Sequence, residues 1–242
     1  MLEAAFWGFV GGAALFIGAA MALYLHTSMR FVGLVMGFGT GVLFSAVAFE
    51  LTREAYDRAG ADAVVLGLLA GSLVFFAGDW VIDHRGGNRR KSPTGMQPEA
   101  TGSALVLGAL LDGIPESAAI GVSLIGGGGV GIAVVAAVFL SNIPEGLSAT
   151  SGMKNSGRST GYILGLWAAV AAASTLAAAL GYVLLGGVSP TVVAAVQAFA
   201  AGAILTMLSD TMVPEAVKHA GSLVGLVTAL GFVCAFLLSA TA

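Results

Sequence analysis

Charged side chains are scarce in this chain of 242 residues. Asp, Glu, Lys and Arg together make up 10% of it, whereas a soluble domain carries about 25%. Hydrophobic residues make up 57%, and the mean hydropathy is +0.95. This composition excludes an ordinary soluble domain and predicts an integral protein of a lipid bilayer. The formal net charge of -3 provides no basic surface, so we expect no nucleic-acid partner.

Several functional motifs are also missing. The single cysteine, Cys234, cannot form an intramolecular disulfide. The chain has no His-Glu-x-x-His metalloprotease motif and no glycine-rich phosphate-binding loop ending in Lys. We therefore expect neither an enzyme nor a protein driven by ATP hydrolysis, and we expect no bound cofactor.

The apolar residues form eight stretches, each close to the 20 or so residues that a helix needs to cross a bilayer. Because a backbone in lipid must satisfy its own hydrogen bonds, we expect all eight to be α-helices. Residues 1–242 would then form a single transmembrane domain. The predicted spans are approximately 5–25, 31–51, 62–82, 104–123, 130–150, 160–186, 192–217 and 222–240.

The basic residues are distributed unevenly between the two sides of this arrangement. Eight spans place both termini on one side, and eight of the ten Lys and Arg residues then fall on the other. Four of these lie in the longest connection, about 83–103. The positive-inside rule places that loop in the cytoplasm and both termini outside, extracellular or periplasmic. We therefore expect a multi-pass protein of the cell (plasma or inner) membrane.

A faint internal repeat links the second and seventh spans. The stretches Gly37 to Glu50 and Gly202 to Glu215 each run thirteen residues from a glycine to a glutamate. A polar residue follows each glutamate four positions later, Glu54 and His219. We predict a 3+2+3 arrangement in which spans 1–3 and 6–8 are related, with spans 4 and 5 between them. Such a repeat would be inverted in the membrane, as in many secondary transporters.

The fourth and fifth spans contain similar polar motifs, LDGIPES at 111–117 and LSNIPEG at 140–146. Asp112 and Glu116 are four residues apart, so they share one face of a helix. The second motif repeats this spacing with Ser141 and Glu145. Each glutamate follows a proline, which cannot donate a helix hydrogen bond, so we expect a kink at both sites.

Three carboxylates converging inside a bilayer need an explanation. Each one costs a few kcal/mol or more on insertion scales, and Asp112, Glu116 and Glu145 would also repel one another. A bound divalent cation removes this conflict because it takes oxygen ligands. With Ser141 and Asn142 beside the carboxylates, we predict a cation site between spans 4 and 5. The alternative is that these residues only form hydrogen bonds in a polar bundle core.

Two successive spans with an x-Pro-Glu motif resemble the ZIP (Zrt/Irt-like) family of divalent metal transporters. In that family, consecutive helices carry H-N-x-P-E-G and H/Q-N/D-x-P-E-G. The resemblance covers essentially the whole chain, including the eight spans, the outside termini and the long cytoplasmic loop. It implies a secondary transporter that binds Zn, Mn, Fe or a similar ion at one or two sites between helices 4 and 5. It also implies that the ion moves into the cytoplasm.

Some residues match this family pattern and others depart from it. Glu116, Glu145 and Asn142 stand at positions where the family has those residues. Asp112 stands where the family usually has His, and Ser141 stands at a His or Gln position. The resulting oxygen-rich set shifts the expected preference toward harder ions such as Mn²⁺ or Fe²⁺, with Zn²⁺ still open.

Two further departures bear on a second metal site. Gly113 stands where the family often has Asn. Some members supply an acidic ligand from the sixth helix, and here the most polar candidate in that span is Ser174. A second metal site is therefore incomplete by comparison with the family.

Polar residues near the ends of the second and seventh spans form a possible pathway. They are Glu50, Glu54, Asp210, Glu215 and His219. One interpretation is an entrance or exit route for metal ions or protons. The other is that these helix ends extend their polar side chains into the membrane interface.

Two broader expectations complete the interpretation. The alternative function is a proton-coupled carrier of a small organic solute that uses the same carboxylates, although the motifs offer no aromatic lining for such a solute. The many glycines and alanines are typical of helix association in membranes. A homodimer is therefore a further expectation.

Overall fold

The structure is a computed structural model, which describes residues 1–25, 27–84, 102–125 and 131–241. The predicted cytoplasmic loop at about 83–103 lies almost entirely outside the described residues. Throughout the described ranges the chain forms helices joined by turns, with no strand. The all-helical prediction is therefore confirmed for this part of the protein.

The described residues include nine α-helices, and a π-helical segment follows the second and the seventh of these. The helices are α1 (Leu2–Tyr24), α2 (Met29–Ser45), α3 (Arg53–Ile82), α4 (Gly102–Ser123), α5 (Ile132–Asn155), α6 (Thr160–Leu185), α7 (Pro190–Met207), α8 (Val213–Ala220) and α9 (Leu223–Thr241). The π-helical segment Ala46–Thr52 follows α2, and the segment Leu208–Met212 follows α7.

Local sequence explains where several helices begin. The Ser28 hydroxyl accepts a hydrogen bond from the Phe31 amide at the start of α2, and Ser159 accepts one from the Tyr162 amide at the start of α6. These side chains satisfy amides that lack an intrahelical partner. Pro190 occupies the first position of α7, where its missing N–H costs nothing.

Seven helical stretches in the described residues are long and apolar enough to cross a membrane. The longest, Met29–Ile82, has 54 residues because the π-helical segment joins α2 to α3. It is not one straight rod, since Gly60 has a φ of 76° and a ψ of -174°. Such angles lie outside the helical range and are open to glycine. The structure thus identifies seven stretches where the sequence predicted eight spans.

The helices pack in two groups. In one group, α1 packs against α5 and α6, and α6 packs against α4. In the other, α2 packs against α9, and α3 packs against α7. At one end of the first group, the Lys154 ammonium on α5 donates hydrogen bonds to the carbonyls of Ala22 (3.2 Å) and Leu23 (3.0 Å) at the end of α1. This contact satisfies carbonyls that a helix end leaves open.

The α2–α9 and α3–α7 contacts resemble each other in detail. A Cβ at Gly41 on α2 would collide with the Thr228 carbonyl of α9, and a Cβ at Gly202 on α7 would collide with the Leu68 carbonyl of α3. In both pairs, therefore, a glycine allows two backbones into direct contact. The second helix of each half thus packs against the third helix of the other half. In the first half these are α2 and α3, and in the second half they are α7 and α9.

These contacts set the register of the repeat. Gly41 lies nineteen residues before Gly60, and Gly202 lies nineteen residues before Gly221, the second break, where φ is 64°. Gly41 therefore corresponds to Gly202, whereas the sequence pattern paired Gly202 with Gly37. In the structural register, Glu54 corresponds to Glu215.

Candidate functional site

The five predicted metal ligands are all buried. Asp112 (2% exposed) and Glu116 (1%) lie on α4, and Ser141 (1%), Asn142 (5%) and Glu145 (6%) lie on α5. Carboxylates such as Asp112, Glu116 and Glu145 are almost never fully buried unless other groups compensate them. Their burial in two apolar helices marks this region as the chemically distinctive part of the bundle.

Both helices continue through their prolines. Pro115 lies inside α4 and Pro144 inside α5, each within an unbroken helical stretch. The Ser141 hydroxyl donates a 3.0 Å hydrogen bond to the Val138 carbonyl of its own helix. The Ser141 hydroxyl hydrogen is thus bonded within α5, and the hydroxyl oxygen still has lone pairs that can accept.

Helix α1 forms one wall beside the α5 motif. The Asn142 side-chain amide donates a 3.0 Å hydrogen bond to the Gly11 carbonyl on α1. A Cβ at Gly146 would collide with the Leu15 carbonyl of α1, and one at Gly18 would collide with the Ile143 carbonyl of α5. The two backbones therefore touch on both sides of Glu145.

Helices α2 and α6 approach the motifs from other directions. A Cβ at Gly39 on α2 would lie 2.9 Å from Cγ of Pro144 and 3.2 Å from Cα of Ser141. On α6, Ser174 is 4% exposed, and its Oγ lies 3.5 Å from the position of a Cβ at Gly113. Ser174 therefore does lie beside the α4 motif.

The three motif carboxylates do not form a closed ligand cage in this conformation. Helix α4 packs mainly on α6 and α7, whereas α5 packs mainly on α1 and α2, and the two touch only lightly. In the described part of the chain, no three His, Cys, Asp or Glu side chains are grouped so that they could hold a metal. Any site here would need the serine, amide or backbone oxygens as well.

The predicted pathway residues divide between two places. Glu50 and Glu54 lie before the Gly60 break, and Glu54 accepts a 2.6 Å hydrogen bond from Arg58. The Gln197 side-chain amide on α7 donates to Oε2 of Glu54 at 2.7 Å and to the Glu50 carbonyl at 3.3 Å. These contacts link α7 to the chain around the first π-helical segment.

Gln197 is a polar residue that the motif-based interpretation missed. It is 1% exposed, and its Oε1 is buried without a hydrogen-bond partner among the described residues. A lone glutamine in the otherwise apolar stretch 192–205 was the available sequence signal. Buried amides of this kind usually link helices.

The remaining pathway residues lie near the Gly221 break. His219 (Nε2) lies 2.9 Å from Oε1 of Glu215, and Lys218 (Nζ) lies 3.3 Å from the same oxygen. Asp210 is exposed on the second π-helical segment, close enough to Asp79 of α3 for their like charges to interact. The five residues thus lie at two places in the chain, Glu50 and Glu54 before Gly60 and the other three before Gly221.

Fold and buried polar residues together define a multi-pass helical membrane protein. No family model matches the chain. The chain is similar to a protein of Arabidopsis thaliana named "Putative zinc transporter", with 27% identity over 211 residues. The aligned region covers 86% of this chain and 33% of that protein, so the chain spans about a third of the length of this curated relative.

Proposed function

We propose that this protein is a secondary transporter of divalent metal cations. The observation that carries the proposal is the burial of Asp112, Glu116, Ser141, Asn142 and Glu145 in neighbouring membrane helices. Oxygen donors of this kind favour Mn²⁺, Zn²⁺ also accepts carboxylate ligands, and Fe²⁺ belongs to the same proposal. The name of the Arabidopsis relative supports a role in metal transport and, with it, a function other than catalysis.

The metal ion would bind between α4 and α5. Glu116 and Asp112 would contribute from α4, and Glu145 and Asn142 from α5, with Ser141 or water completing the shell. Because α4 and α5 touch only lightly here, binding would draw the two motifs together. A cation that bridges them would offset the cost of the buried carboxylates.

The proposed topology is that of a ZIP-type transporter with eight crossings. Gly60 divides Met29–Ile82 into two crossings, since 54 residues of helix would extend about 81 Å, whereas a bilayer core is about 30 Å thick. The exchanged α2–α9 and α3–α7 contacts support a 3+2+3 inverted repeat. Both termini would then lie outside.

The two groups of pathway residues would form the ends of the route. Under this topology, Glu50 and Glu54 lie toward the outside, and Asp210, Glu215 and His219 lie toward the cytoplasm. We propose that the ion moves inward between them. Assembly as a homodimer belongs to the same proposal.

Uptake by proteoliposomes tests this function. The purified protein would be reconstituted with a metal-sensitive dye inside the vesicles and challenged with Mn²⁺, Fe²⁺, Zn²⁺, Cd²⁺ and Co²⁺. We expect selective uptake that is lost when Glu116→Gln and Glu145→Gln are combined. Glu3→Gln is the matched control because it removes an exposed carboxylate.

The same vesicles separate the proposal from a proton-coupled solute carrier. If a folded wild-type protein moves protons through Glu116 and Glu145 but moves none of the metals, the metal proposal is wrong. Folding of each variant is checked by its elution as a single species in size-exclusion chromatography.

A further inference from the structure

An apolar cavity lies beside the first x-Pro-Glu motif. It has a volume of about 160 Å³ and is bounded by α3, α4 and α7. The side chains that line it are all apolar, and three of them, Leu111, Ile114 and Pro115, belong to the motif on α4. None of the five proposed metal ligands is among the residues that line it. The cavity is therefore a feature of its own, next to the proposed site but outside it.

The cavity begins where a close contact between α3 and α4 ends. A Cβ at Gly78 of α3 would lie 3.0 Å from Cδ1 of Leu111 on α4, so the two helices touch there. Val74 is about one helical turn away from Gly78 and already lines the cavity. A Cβ at Gly71 of α3 would collide with the Phe199 carbonyl of α7, which brings these two backbones into contact. The cavity thus has a closely packed floor of α3 and α7, with α4 as its third wall.

The cavity opens on the surface of the bundle that faces lipid. Phe75 and Ala203 at its floor are each 2% exposed, whereas Val74 and Ile114 at its rim are 54% and 46% exposed. Val74 lies near the middle of the helical stretch that follows Gly60, and Ile114 lies near the middle of α4. Both stretches are apolar enough to cross a membrane. In a bilayer the opening would therefore face the hydrocarbon core and not the headgroups.

The chemistry of the lining selects a hydrocarbon as the occupant. A buried water makes about three hydrogen bonds, and the apolar side chains around this cavity have no group that could donate or accept them. An apolar cavity of about 150 Å³ stays dry and takes up a ligand such as benzene. Hydrocarbon that enters also gains the dispersion contacts that the lining of a void lacks.

We propose that this cavity binds the end of a phospholipid acyl chain from the surrounding bilayer. The chain enters between Val74 and Ile114 and lies against Ala203 and the ring of Pro115. It thereby becomes part of the packing around the first x-Pro-Glu motif. Occupancy of the cavity does not depend on the proposed transport function, so either proposal can fail while the other stands.

Photolabelling of the full chain in proteoliposomes tests this proposal. The bilayer contains a phospholipid with a diazirine at the end of one acyl chain, and mass spectrometry locates the adducts after irradiation. We expect adducts at 110–115 and 199–203 to be several-fold more frequent than at 230–237. That stretch of α9 is the reference because it contains the exposed Leu230 and Val233 near the middle of its helix. Equal or lower labelling at the cavity would overturn the proposal.

A second probe distinguishes an acyl chain from a headgroup. This phospholipid carries the diazirine on its headgroup and is used at the same density. We expect it to label 110–115 several-fold less than the acyl-chain probe does. Stronger labelling by the headgroup probe would mean that the cavity does not take its occupant from the hydrocarbon core, and the proposal would be wrong.

Two variants close the cavity in different ways. Ala203→Phe adds a ring at the floor, and Val74→Trp covers the mouth from a half-exposed position. We expect each to lower labelling at 110–115 several-fold and to leave 230–237 unchanged. Ala229→Phe is the matched control, because it makes the same change at an exposed position of α9, and labelling of the cavity should stay at the wild-type level. If a Val74→Trp protein that elutes as a single folded species keeps wild-type labelling at 110–115, the cavity does not hold the chain.

Discussion

Asn142 on α5 donates its side-chain amide to the Gly11 carbonyl on α1 at 3.0 Å. The same residue stands in the second x-Pro-Glu motif, so it serves both the packing of two helices and the proposed ligand set. Its nitrogen is engaged with the backbone of α1. Its side-chain oxygen is the atom that would face a cation.

Replacing Asn142 should therefore affect both stability and uptake. Asn142→Ala removes the donor to the Gly11 carbonyl, and we expect a loss of about 1–3 kcal/mol in the free energy of unfolding. Thermal denaturation of the detergent-solubilised protein measures this loss. The control is Ser209→Ala, because the exposed Ser209 hydroxyl bonds only within its own helix. Equal melting temperatures for the two variants would contradict the prediction.

A glycine comparison tests the contact between α1 and α5. Gly146→Ala should destabilise the protein by about 1–3 kcal/mol, since its Cβ would collide with the Leu15 carbonyl and force the backbones apart. Gly113→Ala is the matched control on α4. Its Cβ would lie 3.5 Å from Ser174 Oγ, an ordinary contact, and alanine favours a helix over glycine. We expect Gly146→Ala to melt at a lower temperature than Gly113→Ala, and the reverse order would exclude tight α1–α5 packing.

The identity of residue 112 should influence which metal is preferred. Asp112→His replaces a carboxylate with an imidazole, a ligand that suits Zn²⁺ better than Mn²⁺. We expect the ratio of Zn²⁺ uptake to Mn²⁺ uptake to rise several-fold in proteoliposomes. Thr191→His is the control, because it places a histidine at an exposed position in the first turn of α7, outside the proposed ligands and route. An unchanged ratio in an active Asp112→His protein would place Asp112 outside the metal site.

A buried hydrogen bond holds α5 and α6 together beyond the motifs. The Trp167 indole nitrogen donates to Thr150 Oγ1 at 2.8 Å, and both residues are buried. Thr150→Val should cost about 1–3 kcal/mol because the indole N–H would be left without an acceptor. Thr175→Val is the control, since the Thr175 hydroxyl donates to Ala171 of its own helix. Thermal denaturation measures both, and an equal loss would mean that the Trp167 bond adds nothing.

The sequence was most informative about the class of protein and about which polar residues are buried. Low charge and long apolar stretches predicted an all-helical membrane protein, and the burial of Asp112 and Glu116 accords with a motif placed inside a bilayer. These features could be predicted because they depend on which residues avoid water, and the composition of a single chain shows that directly. The metal site itself stays a prediction.

The register of the repeat could not be read from the sequence. Glu50 and Glu54 stand one helical turn apart, so either can be paired with Glu215 in a glycine-to-glutamate pattern. The contacts of Gly41 and Gly202 with neighbouring backbones, together with the breaks at Gly60 and Gly221, distinguish the two registers. Gln197 was missed for a related reason, because the partners that explain it are about 140 residues away in the chain.

The attachment of α1 to α5 has a mechanical consequence. The two helices are joined near Gly11, again where Leu15 touches Gly146, and finally where Lys154 binds the end of α1. Three attachments along one pair of helices leave little freedom for sliding or rotation between them. If the second motif moves, we therefore expect α1 to move with α5 as one rigid body. A fluorophore on the exposed surface of α1 would therefore report the movement of Glu145 without any label near the motif.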